Sequence, residues 1–404
     1  MSGPARWTPD LLVAGAGVMG AWVALRALEG GRRTLLVDAY GIGHSRATSG
    51  GESRIIRASH GPDAFYTRWS REAREAWIAL EARGTLPIYV PCGAAWFAHR
   101  EDAFEAASLA TLGALGVPVE RLSPDEARAR WPGLRTDDLA FVLFEPEGGL
   151  LMARRGVQAT VRAFEDGGGR FELARVRPGA ARGRKLHDVV ADDGRRTSAA
   201  QFVFAVGPWL PRLFPEVLGP LIKVTKQDVL FFGPAAGDDR WDSARFPSWI
   251  DYDLAYYGIP AVDGRGVKAA TDAYGPPFDP DDGERLVDAG SIRLAREYMA
   301  VRMPDLASRP IVETRVCQYE ATPDTQFVID RHPDFDNVWL VGGGSGHGFK
   351  HGPAIGRYVV ERLDGARAGP DDDRFSIARP RELRVGLRSG ADTLLGRRTA
   401  DVSR

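Results

Sequence analysis

Cysteine is nearly absent. The 404 residues hold two, Cys92 and Cys317, far apart and in no metal-like spacing, which excludes a disulfide framework and a zinc ribbon. The seven histidines form no HExxH or HxH grouping, so the sequence shows no metal ligands. Charge of one sign is also missing: 53 basic residues against 54 acidic give a net −1, and no overall field draws the chain to nucleic acid or an anionic membrane. A continuous apolar run of about 20 residues, the length that spans a bilayer, is lacking. The nearest approach, Leu11 to Leu25, is broken by Gly15, Gly17 and Gly20, which argues against an anchor or a signal peptide. These absences predict a protein of a reducing, cytoplasmic setting with no membrane or nucleic-acid partner. Lysine is scarce too. Lys185, Lys223, Lys226, Lys268 and Lys350 are the only five, so 53 − 5 = 48 basic residues are arginine. An ammonium shifts its pKa on burial and guanidinium does not, so each lysine is a candidate for a particular role.

What is present is an ordinary globular composition, 44% hydrophobic and 26% charged, on a chain long enough for two or three domains. Leu11–Ala14 reads as a buried strand, Val18–Leu28 as a helix stopped by Gly30-Gly31, and Thr34–Val37 as a second strand ending at Asp38. A long Gly, Ser and Arg-rich loop, 41–57, leads to a helix over Ala64–Glu81. Short strands at Ile88–Val90, Ala94–Phe97 and Leu139–Phe144, with helices near Glu101–Leu115 and Pro124–Ala129, read as an inserted α+β region. A helix over Ala153–Glu165, a strand ending at Val176 and Gln201–Ala205 return to α/β order. Aromatic strands at Val229–Phe232 and Tyr256-Tyr257 form a second excursion. Strands Phe327–Asp330 and Val338–Val341, a glycine loop at 342–348 and a helix opened by Pro353 close the core. The fold expected is α/β: a Rossmann-like FAD-binding domain (1–85, 149–225 and 313–365) and a discontinuous α+β substrate-binding domain (86–148 and 226–312) with a mixed or antiparallel sheet. Residues 366–404 read as a loosely held tail.

Gly15-Ala-Gly17-Val-Met-Gly20 lies between strand and helix. The first glycine serves the turn, the second admits a pyrophosphate, and the third lets helix and strand pack closely. Phosphate then meets the helix N-terminus, where Val18 and Met19 begin the helix. Asp38 ends the second strand, where a carboxylate accepts ribose hydroxyls. The motif fits FAD and NAD alike. A sheet domain visited repeatedly and completed by a C-terminal glycine loop suits FAD.

Seven ordered segments then carry a resemblance: Gly15–Gly20, Gly51–Arg57, Tyr256–Pro260, Gly266–Lys268, Cys317–Asp324, Phe327–Pro333 and Gly344–Lys350. To about residue 365 the chain resembles the family of monomeric sarcosine oxidase, N-methyltryptophan oxidase, pipecolate oxidase and fructosyl-amino-acid oxidases, within the D-amino-acid oxidase group. The resemblance implies FAD attached covalently through the Cys317 sulfur. It implies that Lys268, over the flavin ring, stabilises superoxide as electrons pass to oxygen, and that Arg54 is a second catalytic group facing the flavin. Arg57 and Lys350 match the pair that grips the substrate carboxylate, with Tyr257 lining the substrate cavity. Cofactor contacts are expected from Gly15, Gly17, Val18, Met19, Gly20, Asp38, His44, Thr48, Ser53, Arg54, Val176, Gly207, Cys317, Gly344, Gly346, His347, Gly348 and Lys350.

One position departs. Where the sarcosine-oxidase branch carries a histidine at the substrate, this chain has Asp272, and the Thr48–Gly51 stretch lacks the histidines often found there. The function expected is oxidation of the C–N bond of a secondary or cyclic amino acid by a monomeric FAD enzyme, yielding imine and hydrogen peroxide from O2. Two other readings fit the same residues: a dehydrogenase that passes electrons to a quinone or protein acceptor, and a non-catalytic flavin-binding protein.

Overall fold

Leu11–Ala14 and Thr34–Asp38 are buried along their whole length, as strands of a parallel sheet covered on both faces must be. In the computed structural model, which describes residues 7–367 and 369–379, they lie inside a six-stranded sheet. Its order is Val328–Arg331, Val338–Gly342, Gln201–Phe204, Leu11–Ala14, Thr34–Asp38, Arg170–Leu173, and only the first strand runs antiparallel. The helix Val18–Glu29 covers one face between the helices Ala153–Asp166 and Gly352–Leu363. Ala153–Asp166 buries Val157, Thr160, Val161 and Phe164, the i, i+3, i+4, i+7 spacing of one helical face. The other face packs Leu12, Phe204, Leu210 and Val189, the last from a small antiparallel sheet of Val176–Pro178, Asp188–Ala191 and Arg196–Ser198.

The second large sheet has eight strands in the order Ile311–Ala321, Lys223–Phe232, Val267–Thr271, Tyr256–Ile259, Ser248–Asp251, Ala94–Ala98, Phe141–Glu145, Glu120–Leu122. It is antiparallel except where Ser248–Asp251 meets Ala94–Ala98, so it is the mixed sheet the sequence led us to expect. Helix Ala289–Arg302 packs on it, stacking Tyr298 on Tyr256 at 4.3 Å between ring centres. At the helix end Arg302 is fully buried. It donates from Nε to Asp251 (3.1 Å) and from Nη1 to Asp138 (2.8 Å), the pairing that a buried guanidinium requires.

Three features differ from the sequence reading. Ile311–Ala321, part of which was placed with the nucleotide segments, pairs along Lys223–Phe232 in the eight-stranded sheet, because its partner strand offers a continuous ladder from Lys223 to Phe232. Ser53–Ile56, read as loop, forms a strand against Gly149–Met152, which also pairs with Tyr89–Val90. Within the expected tail, residues 369–379 are held to the body: Phe375 is buried and stacks on Trp69 (5.2 Å), Arg374 pairs with Asp63 (2.9 Å), and Arg379 pairs with Asp324 (2.6 Å). Residue 368 and residues 380–404 lie outside the described residues.

Candidate cofactor and substrate site

The glycine turn uses each glycine for a different reason. Gly15 sits at φ +102°, and a Cβ there would lie 2.4 Å from the Ala205 carbonyl oxygen. A Cβ on Gly20 would lie 1.9 Å from the Gly15 oxygen, so Gly20 serves packing and stands behind the turn. Gly17 is different: a Cβ there would meet only Ser49 Oγ, at an ordinary 3.5 Å. The space that Gly17 leaves opens instead onto a cavity of about 360 Å³, which Gly15, Val18 and Met19 also line. A backbone cradle that its own neighbours do not need is what a dinucleotide phosphate requires, and these residues fit FAD.

Asp38 closes this turn. Its carboxylate accepts the N–H of Ala16 (2.8 Å) on one oxygen and those of Tyr40 (2.8 Å) and Gly41 (3.0 Å) on the other. The expected ribose contact is thus joined by a structural duty, which leaves only the remaining lone-pair direction for a sugar hydroxyl. The helix start has a partner that sequence reading missed: Ser49 Oγ accepts the Val18 N–H at 3.0 Å. His44 lies 3.6 Å from Asp38 and is held below the usual imidazole range by burial.

Thr48, Arg54, Val176, Gly207, Cys317, Gly344, Gly346 and Gly348, all expected near the cofactor, line the same cavity. Ser53 does not. It is buried, and its carbonyl accepts Lys268 Nζ (3.1 Å) and Arg54 Nη1 (2.7 Å), so it positions two cations instead. His347 and Lys350, also expected at the cofactor, line an adjoining cavity of about 110 Å³. Ala47, Arg54, Cys317, Tyr319, Gly346 and Phe349 border both cavities.

The smaller cavity gathers every expected substrate residue: Arg57, Lys350, Tyr257 and Asp272, with Lys268 among them. Arg57 lies 4.6 Å over the Trp96 ring and donates to the Ser59 carbonyl. Lys350 is buried, and Nζ donates to the His347 carbonyl at 3.1 Å. Lys268 is buried 5.6 Å from the centre of the Tyr257 ring, and burial, with the Arg54 charge beside it, pushes its ammonium down to about 7. Arg54 Nη2 approaches Cys317 Sγ at 3.7 Å, and its guanidinium rests 5.8 Å over Phe349.

Two further groups emerge only from the fold. Tyr319 borders both cavities and its hydroxyl donates to Asp272 at 3.3 Å. The signal was present, because Tyr319 stands two residues beyond Cys317 on one strand and shares its face. Three histidines that sequence spacing left ungrouped, His60, His347 and His351, bring ligand atoms within 4.8 Å of one another. Among the described residues no carboxylate joins them. Burial, then the nearby charges of Lys350 and Arg57, hold His60 and His351 well below the usual imidazole range, and those same charges oppose a dication. Glu320 lines the larger cavity and is buried, and burial pushes its carboxyl up to about 7.

A Rossmann-type sheet, a glycine cradle and a cavity shared with a second, mixed sheet define an FAD-dependent oxidoreductase. The chain belongs to the DAO family, described as FAD dependent oxidoreductase, which it matches over residues 10–362. It is 28% identical to human peroxisomal sarcosine oxidase over 363 residues, covering 87% of this chain and 91% of the relative. It is 28% identical to the monomeric sarcosine oxidase of Bacillus sp. (strain B-0618), with 92% and 96% covered. Its fold is similar to that of the L-proline dehydrogenase from P. horikoshii, with a TM-score of 0.80 at 18% identity, over 92% of this chain and 97% of that one. Among the described residues no helix is long and apolar enough to cross a membrane.

The glycine geometry separates folding from cofactor retention. Gly17→Val is expected to leave a folded protein, seen by circular dichroism, that purifies with less than a tenth of the wild-type flavin. Gly20→Val is expected to leave no soluble folded protein at all, because the clash is with backbone.

Proposed function

We propose that this chain oxidises the C–N bond of a secondary or cyclic amino acid and passes the electrons to oxygen, giving an imine and hydrogen peroxide. The observation that carries the reading is the convergence of Arg57, Lys350, Lys268 and Cys317, from four distant segments, on a small cavity that opens onto the cofactor cavity. The likeness to enzymes named sarcosine oxidase supports a secondary amine as the reacting group. FAD, when bound, would supply the two-electron chemistry: it would accept a hydride from the substrate C–H as the amine N–H proton is released, and would pass two electrons to O2, which takes up two protons to give hydrogen peroxide. The imine then adds water and separates into amine and carbonyl compound.

The chain's own residues do the rest. Arg57 offers a planar fork and Lys350 a point charge to one carboxylate, which orients the carbon that loses hydrogen. Arg54 sets a fixed positive charge at the junction of the two cavities, and Lys268, in the smaller cavity beside it, adds a second while protonated, where oxygen takes on negative charge as it is reduced. Cys317 faces both cavities, which supports a thioether to the cofactor. Asp272, with Tyr319 on its carboxylate, puts a negative group in the substrate cavity and favours an amino acid carrying a second polar or cationic group. The substrate amine must be neutral to release electrons, so turnover rises with pH until that is met. Two free thiols support a reducing, cytoplasmic setting, and the likeness to a sarcosine oxidase named monomeric supports a single-chain enzyme.

A panel of N-methyl, cyclic and glycated amino acids, added without oxygen, tests the reading: at least one bleaches the flavin absorbance, and readmitted oxygen restores it with one peroxide per cycle. Bleaching that returns only with a quinone would reassign the acceptor. Lys350→Met is expected to raise KM for the substrate roughly 10- to 100-fold, in keeping with a lost charge-assisted contact. Lys268→Met is expected to slow reoxidation about 100-fold or more, the scale of one lost transition-state donor, while the anaerobic half-reaction changes far less. Stopped-flow spectra of both half-reactions decide this. Acid precipitation of the wild type should leave the yellow colour in the pellet, and Cys317→Ser should release it to the supernatant.

A further inference from the structure

The segment between strand Val267–Thr271 and helix Ala289–Arg302 belongs by sequence order to the substrate unit, yet its middle reaches the cofactor cavity at Asp281. Asp281 lines that cavity, and its carboxylate is the meeting point. One oxygen accepts the Tyr40 hydroxyl (2.7 Å) and the Trp209 indole N–H (2.9 Å), and the other accepts Arg212 Nη1 (2.8 Å). Tyr40 follows the strand Thr34–Asp38, and Trp209 and Arg212 follow Gln201–Phe204. One side chain therefore ties the segment to two strand ends of the nucleotide sheet, the edge at which a dinucleotide lies in such sheets. Arg46 adds a bond to the Asp281 carbonyl at 2.6 Å, and Asp279 makes its own ion pair with Arg212.

Behind these contacts the segment is stiff. Pro276, Pro277 and Pro280 fix their own φ, and the backbone is anchored at its start where Lys226 N–H donates to the Pro276 carbonyl (2.9 Å) and Phe278 N–H to Val224 (2.9 Å). Burial works to raise the Asp281 carboxyl, but the Trp209 and Tyr40 hydrogen bonds and the Arg175 and Arg212 charges together outweigh it and hold the group below the usual range. The lock is still close to water: the Arg212 and Asp281 side chains are 46% and 25% exposed, so it can open without exposing a core.

We propose that residues 275–285 form the outer wall of the cofactor site, a strap over its dinucleotide end that Asp281 locks through Tyr40, Trp209 and Arg212, and whose release sets how fast FAD leaves the protein. The proposal rests on FAD dependence, which the family match supports, and not on the choice of substrate or acceptor. An enzyme with another substrate would keep it intact.

The test is exchange of bound FAD against excess isotopically labelled FAD in the Cys317→Ser holoenzyme, in which no thioether can hold the cofactor. Adding Asp281→Asn is expected to speed exchange 10-fold or more. Adding Arg212→Gln, a half-exposed position that the fold tolerates, is expected to speed it several-fold. The two together should exchange faster than Asp281→Asn alone, because Arg212 also pairs with Asp279, but by less than the product of the two single effects, because the Asp281–Arg212 pair is shared. Raising salt from 0.05 to 0.5 M should speed exchange in the Cys317→Ser protein and speed it less once Asp281 is replaced. Exchange unchanged by Arg212→Gln, rates that multiply in the double variant, or a salt effect undiminished by the loss of Asp281 would each overturn the proposal. Should Asp281→Asn fail to fold, the Arg212→Gln rate and the salt dependence decide it.

Discussion

The carboxylate of Asp38 is the constraint on which the rest of the site depends. By accepting the Ala16 N–H it fixes the glycine turn after the first strand, and by accepting those of Tyr40 and Gly41 it fixes the turn after the second. A charged acceptor that takes three backbone donors is among the stronger hydrogen-bond arrangements available to a protein. It sets the position of the helix Val18–Glu29, whose first turn lines the cofactor cavity, and it directs Tyr40 to the strap that reaches the cavity at Asp281. Without that carboxylate the two turns would lose their shared reference, and the cradle at Gly17 would have no defined depth.

The second organising fact is the placement of a scarce residue. Of five lysines, Lys268 and Lys350 are buried, at 4% and 3% exposure, and both border the smaller cavity. Burying an ammonium is costly, and a chain that uses arginine almost everywhere else keeps lysine where a compact charge is wanted. Each is steadied by a backbone carbonyl, of Ser53 and of His347. Arg54 and Arg57 flank them, so the cavity walls gather four cationic side chains, Lys268 carrying its charge only below its lowered pKa of about 7. That field favours a bound anion, and after burial it helps to hold His60 and His351 well below the usual imidazole range.

Much of this was readable early. The strand, glycine turn and helix at 11–29 announced themselves because local rules apply: an apolar run buried on both faces, glycines at a turn, and a helix stop at Gly30-Gly31. The pairing of Arg57 with Lys350 was legible only through resemblance, since nothing in the spacing of two residues nearly 300 positions apart says that they meet. Ser53 was expected at the cofactor, but in the strand Ser53–Ile56 it is buried outside the cavity lining and acts through its carbonyl, which no sequence pattern announces. The segment 369–379 was misjudged because composition cannot tell that Phe375 finds a bed of Trp69, Phe65 and Tyr358.

Sequence alone therefore determined the class of fold, the dinucleotide motif and the residue types that the chemistry uses, because each depends on short-range pattern and on the chemical nature of single side chains. Tertiary structure decided what those residues do to one another. It gave Asp38 a backbone duty, set Cys317 and Tyr319 on one face of a strand in the larger sheet, drew three ungrouped histidines together, and brought Asp281 across to the nucleotide edge. Such contacts depend on strand order and on which surfaces are buried together, and these are properties of the whole folded chain that no local window contains.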